Sequence, residues 1–378
     1  MDSLETGAEH PDSPVTEDVF REWRSPRFGQ SNPERLKNPL WEWLIRSEWS
    51  AYAARKHFDP TNEQCATPGW SFSRFGQSST PLADGRTVLI AGEHEDSYDS
   101  DFYIYNDVVV RGADGKIDVY GYPKDVFPPT DFHSATLAGN QIIVIGSLGH
   151  PAERKPGTTP VACLDLDTFA MSRVTSSGAA PGWIHRHEAL LSDDGRAIVV
   201  RGGKIVRGEI ASQEFVENAD DWRLDLSSGQ WERLTERSWA QFHVSRADRR
   251  SNRLWQMHSV WTLRGGRWAA EHRESMETMI RGQIEQLTAE YGVAPDLELF
   301  GTLYRPSIPH EPLPDVEDDF GVRRILVDGT VVRYIEQPHA VQVIVEGDVP
   351  SDVVDELVAD LRDKLTRIEH TNYVVRKL

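Results

Sequence analysis

Between Gly92 and Asp107 the chain reads GEHEDSYDSDFYIYND, which puts six carboxylates and one histidine into sixteen residues. Glu93, Asp96, Asp99 and Asp101 could offer oxygen ligands to a divalent cation such as calcium, and His94 beside Glu95 could serve a transition metal. The spacing completes no known ligand signature. A calcium loop of the EF-hand kind needs acidic or amide residues at alternate positions, then a glycine and a distal glutamate, whereas Tyr103 and Tyr105 occupy later positions here. A solvated or internally hydrogen-bonded loop explains the same residues, and the sequence leaves both readings open. A second group of residues is centred on histidine. Asp131, His185 and Gln241 each precede a further histidine by two positions, at His133, His187 and His243, and Arg186 lies between two of them. With Arg74, these residues mix both signs of charge, as a polar-ligand site does; packing and turn hydrogen bonding are the competing explanation. Nucleophilic catalysis has no support, because there is no nucleophile elbow and no cysteine in a catalytic setting. Phosphate-cradling loops are also lacking: GADG, LRGG and VRGG are not followed by a helix opening with Lys-Ser or Lys-Thr.

The elements that would position these groups are short strands. TVLIAG, FYIYNDVVV, KIDVYGY, QIIVIG, VACLDL, AIVVRGG, WRLDL and QWERL alternate with Gly, Pro, Asp and Ser clusters, the pattern of an all-β sandwich, barrel or propeller. Internal repetition chooses among these. Three segments superpose on a small-residue doublet that starts at Ala91, Gly146 and Gly202, spaced by 55 and then 56 residues. A further step of that size reaches Met257 and suggests a fourth copy, with QFHVSR as its opening and NRLWQM as a strand. On this alignment Arg74 takes the histidine position in the first copy. The acidic stretch becomes a connecting loop up to Asp101, followed by a strand from Phe102.

A proline-led opening, His-Ser-Ala-Thr, an apolar strand ending in Gly-Gly, then a strand, a short turn and a Trp resemble the Kelch repeat. PPTDFHSATLAGNQIIVIGS and GG…DDWRLDLSSGQW carry the likeness, which spans residues 68–268. It departs from the pattern in having one full double glycine, Gly202-Gly203, and clear end-of-repeat tryptophans only at Trp231 and Trp268. The resemblance implies an all-β propeller in which each repeat supplies a four-stranded blade.

Around this region the sequence predicts an acidic, disordered tail over 1–37, a helical lead-in over 38–67 and an α+β domain over 269–378. In the lead-in, NPLWEWLIRSEWSAYAARK reads as one amphipathic helix, with Asn38 as cap and Pro39 at its first position. The last domain should hold helices at 273–291 and 351–368, strands at LELFGTLY, GVRRILV, TVVRYIEQ, AVQVIVEG and NYVVRKL, and a hairpin turn at Asp328-Gly329. A formal charge of −19 argues against nucleic acid or an anionic membrane as partner. No apolar run long enough to span a bilayer occurs, and the polar, acidic start does not resemble a secretory signal. Cys65 and Cys163 are too few for a disulfide scaffold, which favours the cytoplasm, and both read as packing residues. The expected function is a Kelch-like protein-interaction module. The alternative is an enzyme or a small-ligand or metal-binding propeller, with a polar site at the channel mouth.

Overall fold

The computed structural model describes residues 15–60, 68–96, 99–265, 273–314 and 322–378, without the side chains of 96, 99–101, 211, 262–265 and 273–276. Cys65 and Trp268 lie outside the described residues. The chain divides into two compact units, Met1–Glu236 and Arg237–Leu378. It is mostly β-sheet with a few helices. Its six sheets are antiparallel apart from one short parallel contact between Ser177–Gly178 and Gln230–Trp231, and none closes on itself.

Three four-stranded antiparallel meanders follow one another in the first unit. The first joins Ser78–Pro81, Thr87–Ile90, Val108–Arg111 and Ile117–Gly121. The second joins Ser134–Ala138, Gln141–Ile145, Val161–Asp165 and Met171–Arg173. The third joins Glu188–Leu191, Ala197–Arg201, Trp222–Asp225 and Gln230–Arg233. Period-2 patterning explains how they stack. Val88, Ile90, Val108 and Val110 of the first pack with Ile142, Val144, Ala162 and Leu164 of the second in one buried core.

Both ends of this array are finished with something other than another meander. At the first, Val109, Ile117 and Val119 are covered by Leu40, Trp41, Leu44 and Ile45. These come from the first of two lead-in helices, Pro39–Ser47 and Ala51–Phe58. A single helix was expected; left-handed Glu48 ends the first, and Ser50 caps the second. Residues 15–37, expected to be disordered, also carry structure. Helix Glu17–Trp23 buries Phe20, and Glu34–Arg35 pairs with Tyr120 and Gly121; residues 1–14 lie outside the described residues. At the last meander the chemistry inverts. Where the second pairs Ile143 with Cys163 and Ile145 with Val161, all buried, the third pairs Val199 with Arg223 and sets Arg201 against Asp221 in a 3.2 Å ion pair. A repeat array needs a polar face on its terminal unit, and these charges supply one.

The expected fourth copy is not a meander. Its opening, in strand Ala240–Arg246, pairs with Ala340–Val345 and Tyr373–Lys377, and NRLWQM leads into helix Leu254–Gly265. The 55-residue step to Met257 and the His243 position imitate a repeat, but strand pairing assigns this segment to the sheet of the second unit. The second unit is a six-stranded sheet packed with helix Ser351–Ile368, whose buried stripe is Val354, Leu357, Val358, Leu361, Leu365 and Ile368. Asp328 and Gly329 take the left-handed geometry of the expected hairpin turn. LELFGTLY, expected as a strand, instead starts with a helical turn, Leu297–Phe300, because Asp296 caps it.

Candidate functional site

The three meanders open alike. Ser78, Ser134 and Glu188 begin the first strands. They follow the tripeptides Phe75-Gly76-Gln77, Asp131-Phe132-His133 and His185-Arg186-His187, whose middle residues are all left-handed, at φ 61°, 47° and 55°. This corrects the place of Arg74: Gln77, not Arg74, matches the histidines. The chain spacing held that signal, since Gln77, His133 and His187 precede the doublets at Ala91, Gly146 and Gly202 by 14, 13 and 15 residues, and Arg74 by 17.

A repeated set of bonds joins neighbouring openings. The Phe132 N–H donates to the Gly76 carbonyl (3.0 Å), and the Arg186 N–H donates to that of Phe132 (2.8 Å). The Gly92 N–H likewise donates to Thr130 (2.8 Å) and the Ser147 N–H to Ile184 (3.0 Å). His133 Nε2 pairs with Ser78 Oγ at 2.9 Å, and His187 Nε2 with Ser134 Oγ at 2.8 Å. The repeat histidines therefore stitch one meander to the preceding one. These are not catalytic serine–histidine pairs: both Nδ1 atoms are buried without a hydrogen-bond partner, so no carboxylate orients either ring. Burial pushes His133 down to about 3, with His187 adding to the effect, and His187 down to about 4. Neither is a useful base near neutrality.

Arg74 is also engaged. Its guanidinium, fully buried, binds both carboxylate oxygens of Asp107 and donates to the Ser71 (2.7 Å) and Ala91 (3.0 Å) carbonyls. It lies 3.5 Å from the centre of the Tyr105 ring, and Trp70 Nε1 donates to Asp107 at 2.8 Å. This buried node anchors the first opening.

What remains for a ligand gathers around Asp131 and His185. Asp131 Oδ1 accepts from Gly149 N (2.6 Å) and Ser147 Oγ (3.2 Å), while its Oδ2 is buried without a partner. Both His185 ring nitrogens are in the same condition. Burial raises the Asp131 carboxyl, against the opposing Gly149 and Ser147 bonds and the Arg154 charge. Burial, then the charges of Arg186, Lys204 and Arg154, pushes His185 down to about 3. Half-buried Glu93 is raised by burial and by Asp131 and Glu95, with Arg186 opposing. Arg154 itself is held by the Leu148 and Gly149 carbonyls and by Gln213 (2.9 Å). Arg186, exposed, stacks 3.9 Å from the centre of the Phe132 ring.

These histidines have a pH consequence. Each folded-state pKa is depressed, so the unfolded chain binds the extra proton: stability is full above about pH 6.5 and falls as pH drops toward 3–4. Asp131 and Glu93, raised in the fold, act with the opposite sign as they take up protons. The expected result is that His185→Phe flattens the loss of stability between pH 6.5 and 4.5, measured by hydrogen exchange over residues 188–201.

The acidic stretch is a hairpin, Glu93–Asp96 with Asp99–Ile104, rather than a loop, and a break at 105–107 separates it from the strand Val108–Arg111. His94 is buried, with Nδ1 3.0 Å from the Ser73 carbonyl. The side chains of Asp96, Asp99 and Asp101 lie outside the described residues. Among the described residues no three His, Cys, Asp or Glu side chains are grouped to hold a metal. Gln241 and His243 sit on the strand Ala240–Arg246 of the second unit, Gln241 accepting from Gln342 Nε2 at 3.2 Å and His243 Nδ1 lying 3.2 Å from an Arg376 nitrogen. Cys163 is buried and free. No helix among the described residues is long and apolar enough to cross a membrane. No protein-family model matches the chain, and no curated protein matches it.

Proposed function

We propose that residues 68–236 are three Kelch-like repeats, each a propeller-type blade, that act as a cytoplasmic protein-interaction module. The recognition face is the side carrying the repeat openings, and the second unit provides assembly or a second contact. One observation carries this reading: large apolar side chains stand exposed beside the ladder of openings. Phe75 is 62% exposed and Phe102 42%. Phe75 exchanges both backbone hydrogen bonds with Glu93 at 2.8 Å, which places it on the same small sheet as the hairpin bearing Phe102. Exposed aromatic and arginine side chains are the groups enriched at the core of protein interfaces. The Kelch assignment rests on the four-stranded meanders, the left-handed residues after each second strand (Ala91-Gly92, Gly146 and Gly202-Gly203), and the repeated bonds between openings.

Replacing Phe75 and Phe102 by Ser and Arg186 by Glu should leave the far-ultraviolet circular dichroism unchanged and weaken partner capture at least a hundredfold, since each anchor contributes about 2 kcal/mol. Capture that persists in the triple variant would remove the proposal. A second reading, a polar small-ligand site, is favoured only by the unpartnered Asp131 Oδ2 and His185 nitrogens. Under that reading Asp131→Asn and His185→Phe, not the triple variant, would abolish binding.

A further inference from the structure

Beside the second meander lies a cavity of about 550 Å³ that borders the joint between openings at Thr130, Ser147 and Gly149 and otherwise has no role assigned above. Its wall is apolar: Phe127, Pro128, Val144, Val161, Val174 and Trp183 all line it. Where polar groups meet that wall they are already satisfied. The Trp183 indole N–H donates to the Leu148 carbonyl (3.2 Å), and the Thr159 hydroxyl donates to the Gly182 carbonyl (2.8 Å). The volume falls within the range of roughly 300–1,000 Å³ typical of small-molecule sites. The charged lining is one-sided. Lys124, Lys155 and Arg173 face a single carboxylate, Glu153, and Lys124 already pairs with that carboxylate at 2.5 Å. Two exposed cations therefore remain at the rim, Lys155 and Arg173, on a chain whose formal charge is −19. Cationic rim and largely apolar wall together select one class of occupant.

We propose that this cavity binds an amphipathic organic anion, a carboxylate with an aliphatic or aromatic body. The body fills the space between Phe127, Val144 and Trp183, and the carboxylate meets Lys155 and Arg173 at the mouth. A neutral apolar molecule would forgo the ion pairs, and a cation would meet repulsion at the rim. An inorganic anion would gain nothing from the wall.

The test uses the full chain and decanoate, titrated by calorimetry, with decyltrimethylammonium as the cation of equal chain length. Decanoate should bind saturably at one site, and decyltrimethylammonium should not. Lys155→Glu with Arg173→Glu should weaken decanoate by about tenfold or more, in keeping with two partly exposed charge contacts. Ala152→Trp, at an exposed lining position, should block the cavity without entering the core. Circular dichroism establishes that each variant is folded. The proposal is overturned if decanoate gives no saturable heat up to about 1 mM, if the cation binds equally well, or if both variants bind decanoate as the native chain does.

Discussion

Replacing Gly146 by alanine should destabilise the first unit by roughly 2–5 kcal/mol, from combined overpacking and backbone strain. Gly146 follows the second strand of the second meander at φ +78°, against the third meander's opening at Ile184. A Cβ there would lie 2.3 Å from the Ile184 carbonyl oxygen and 2.7 Å from His187 Cε1. The oxygen is backbone, and it accepts the bond from Ser147 N–H that joins the two meanders. It cannot retreat without breaking the joint. Gly139 is the control, because it is also left-handed (φ +61°) but has nothing within 4 Å of where a methyl group would stand. Gly139→Ala should cost only the conformational penalty of about 1–2 kcal/mol. Hydrogen exchange over 134–145 and 188–201 separates the outcomes: Gly146→Ala should expose both segments, whereas Gly139→Ala should leave the second protected. Equal effects would mean that the joint is not close-packed.

Arg74→Ala should have a comparable effect for an electrostatic reason. Asp107 is buried and its two oxygens face the guanidinium and the Trp70 indole. Truncating Arg74 leaves that carboxylate desolvated with one donor side chain, and it removes the Arg74 donors from the Ser71 and Ala91 carbonyls, the second of which keeps Gln77 Nε2 at 3.3 Å. Breaking a buried pair in this way costs about 3–5 kcal/mol. Removing both charges costs less, so Arg74→Met with Asp107→Leu should recover part of the loss. A double variant as unstable as Arg74→Ala would show that the carbonyl bonds, not the ion pair, hold the node. Because Arg74 sits where Glu93–Asp96 meets the first meander, the damage should reach the proposed recognition face as lost protection over residues 75–96.

Much of the fold was legible because its cause is local. Alternating apolar residues and turn clusters located the last three strands of the first and third meanders and the two central strands of the second, and the apolar stripe of Ser351–Ile368 located that helix of the second unit. The doublets revealed the period because the chain needs small or left-handed residues where neighbouring openings touch. What failed was non-local. His243 looked like the repeat histidines, but only strand pairing across a hundred residues assigns it to the sheet of the second unit. The site was read less well than the fold. His133 and His187 suggested ligands, yet each side chain faces a serine of the preceding meander, which composition cannot show. Asp131 and His185 were placed two residues before a repeat histidine, and among the described residues both keep buried atoms without a partner, as the Nδ1 atoms of His133 and His187 also do. Phe75 was not singled out, although it holds the position equivalent to Asp131 and His185 and is the most exposed aromatic residue among the described residues of the first unit.

The claim that partners dock on the face of the repeat openings is tested most directly by site-specific photo-crosslinking. A benzophenone amino acid is placed at Phe75, at Phe102, or at Leu234, which is 44% exposed at the end of the third meander's outer strand. Adducts with one and the same protein from positions 75 and 102, and none from 234, are the predicted result. Adducts that form equally from 234, or only from 234, would contradict the account.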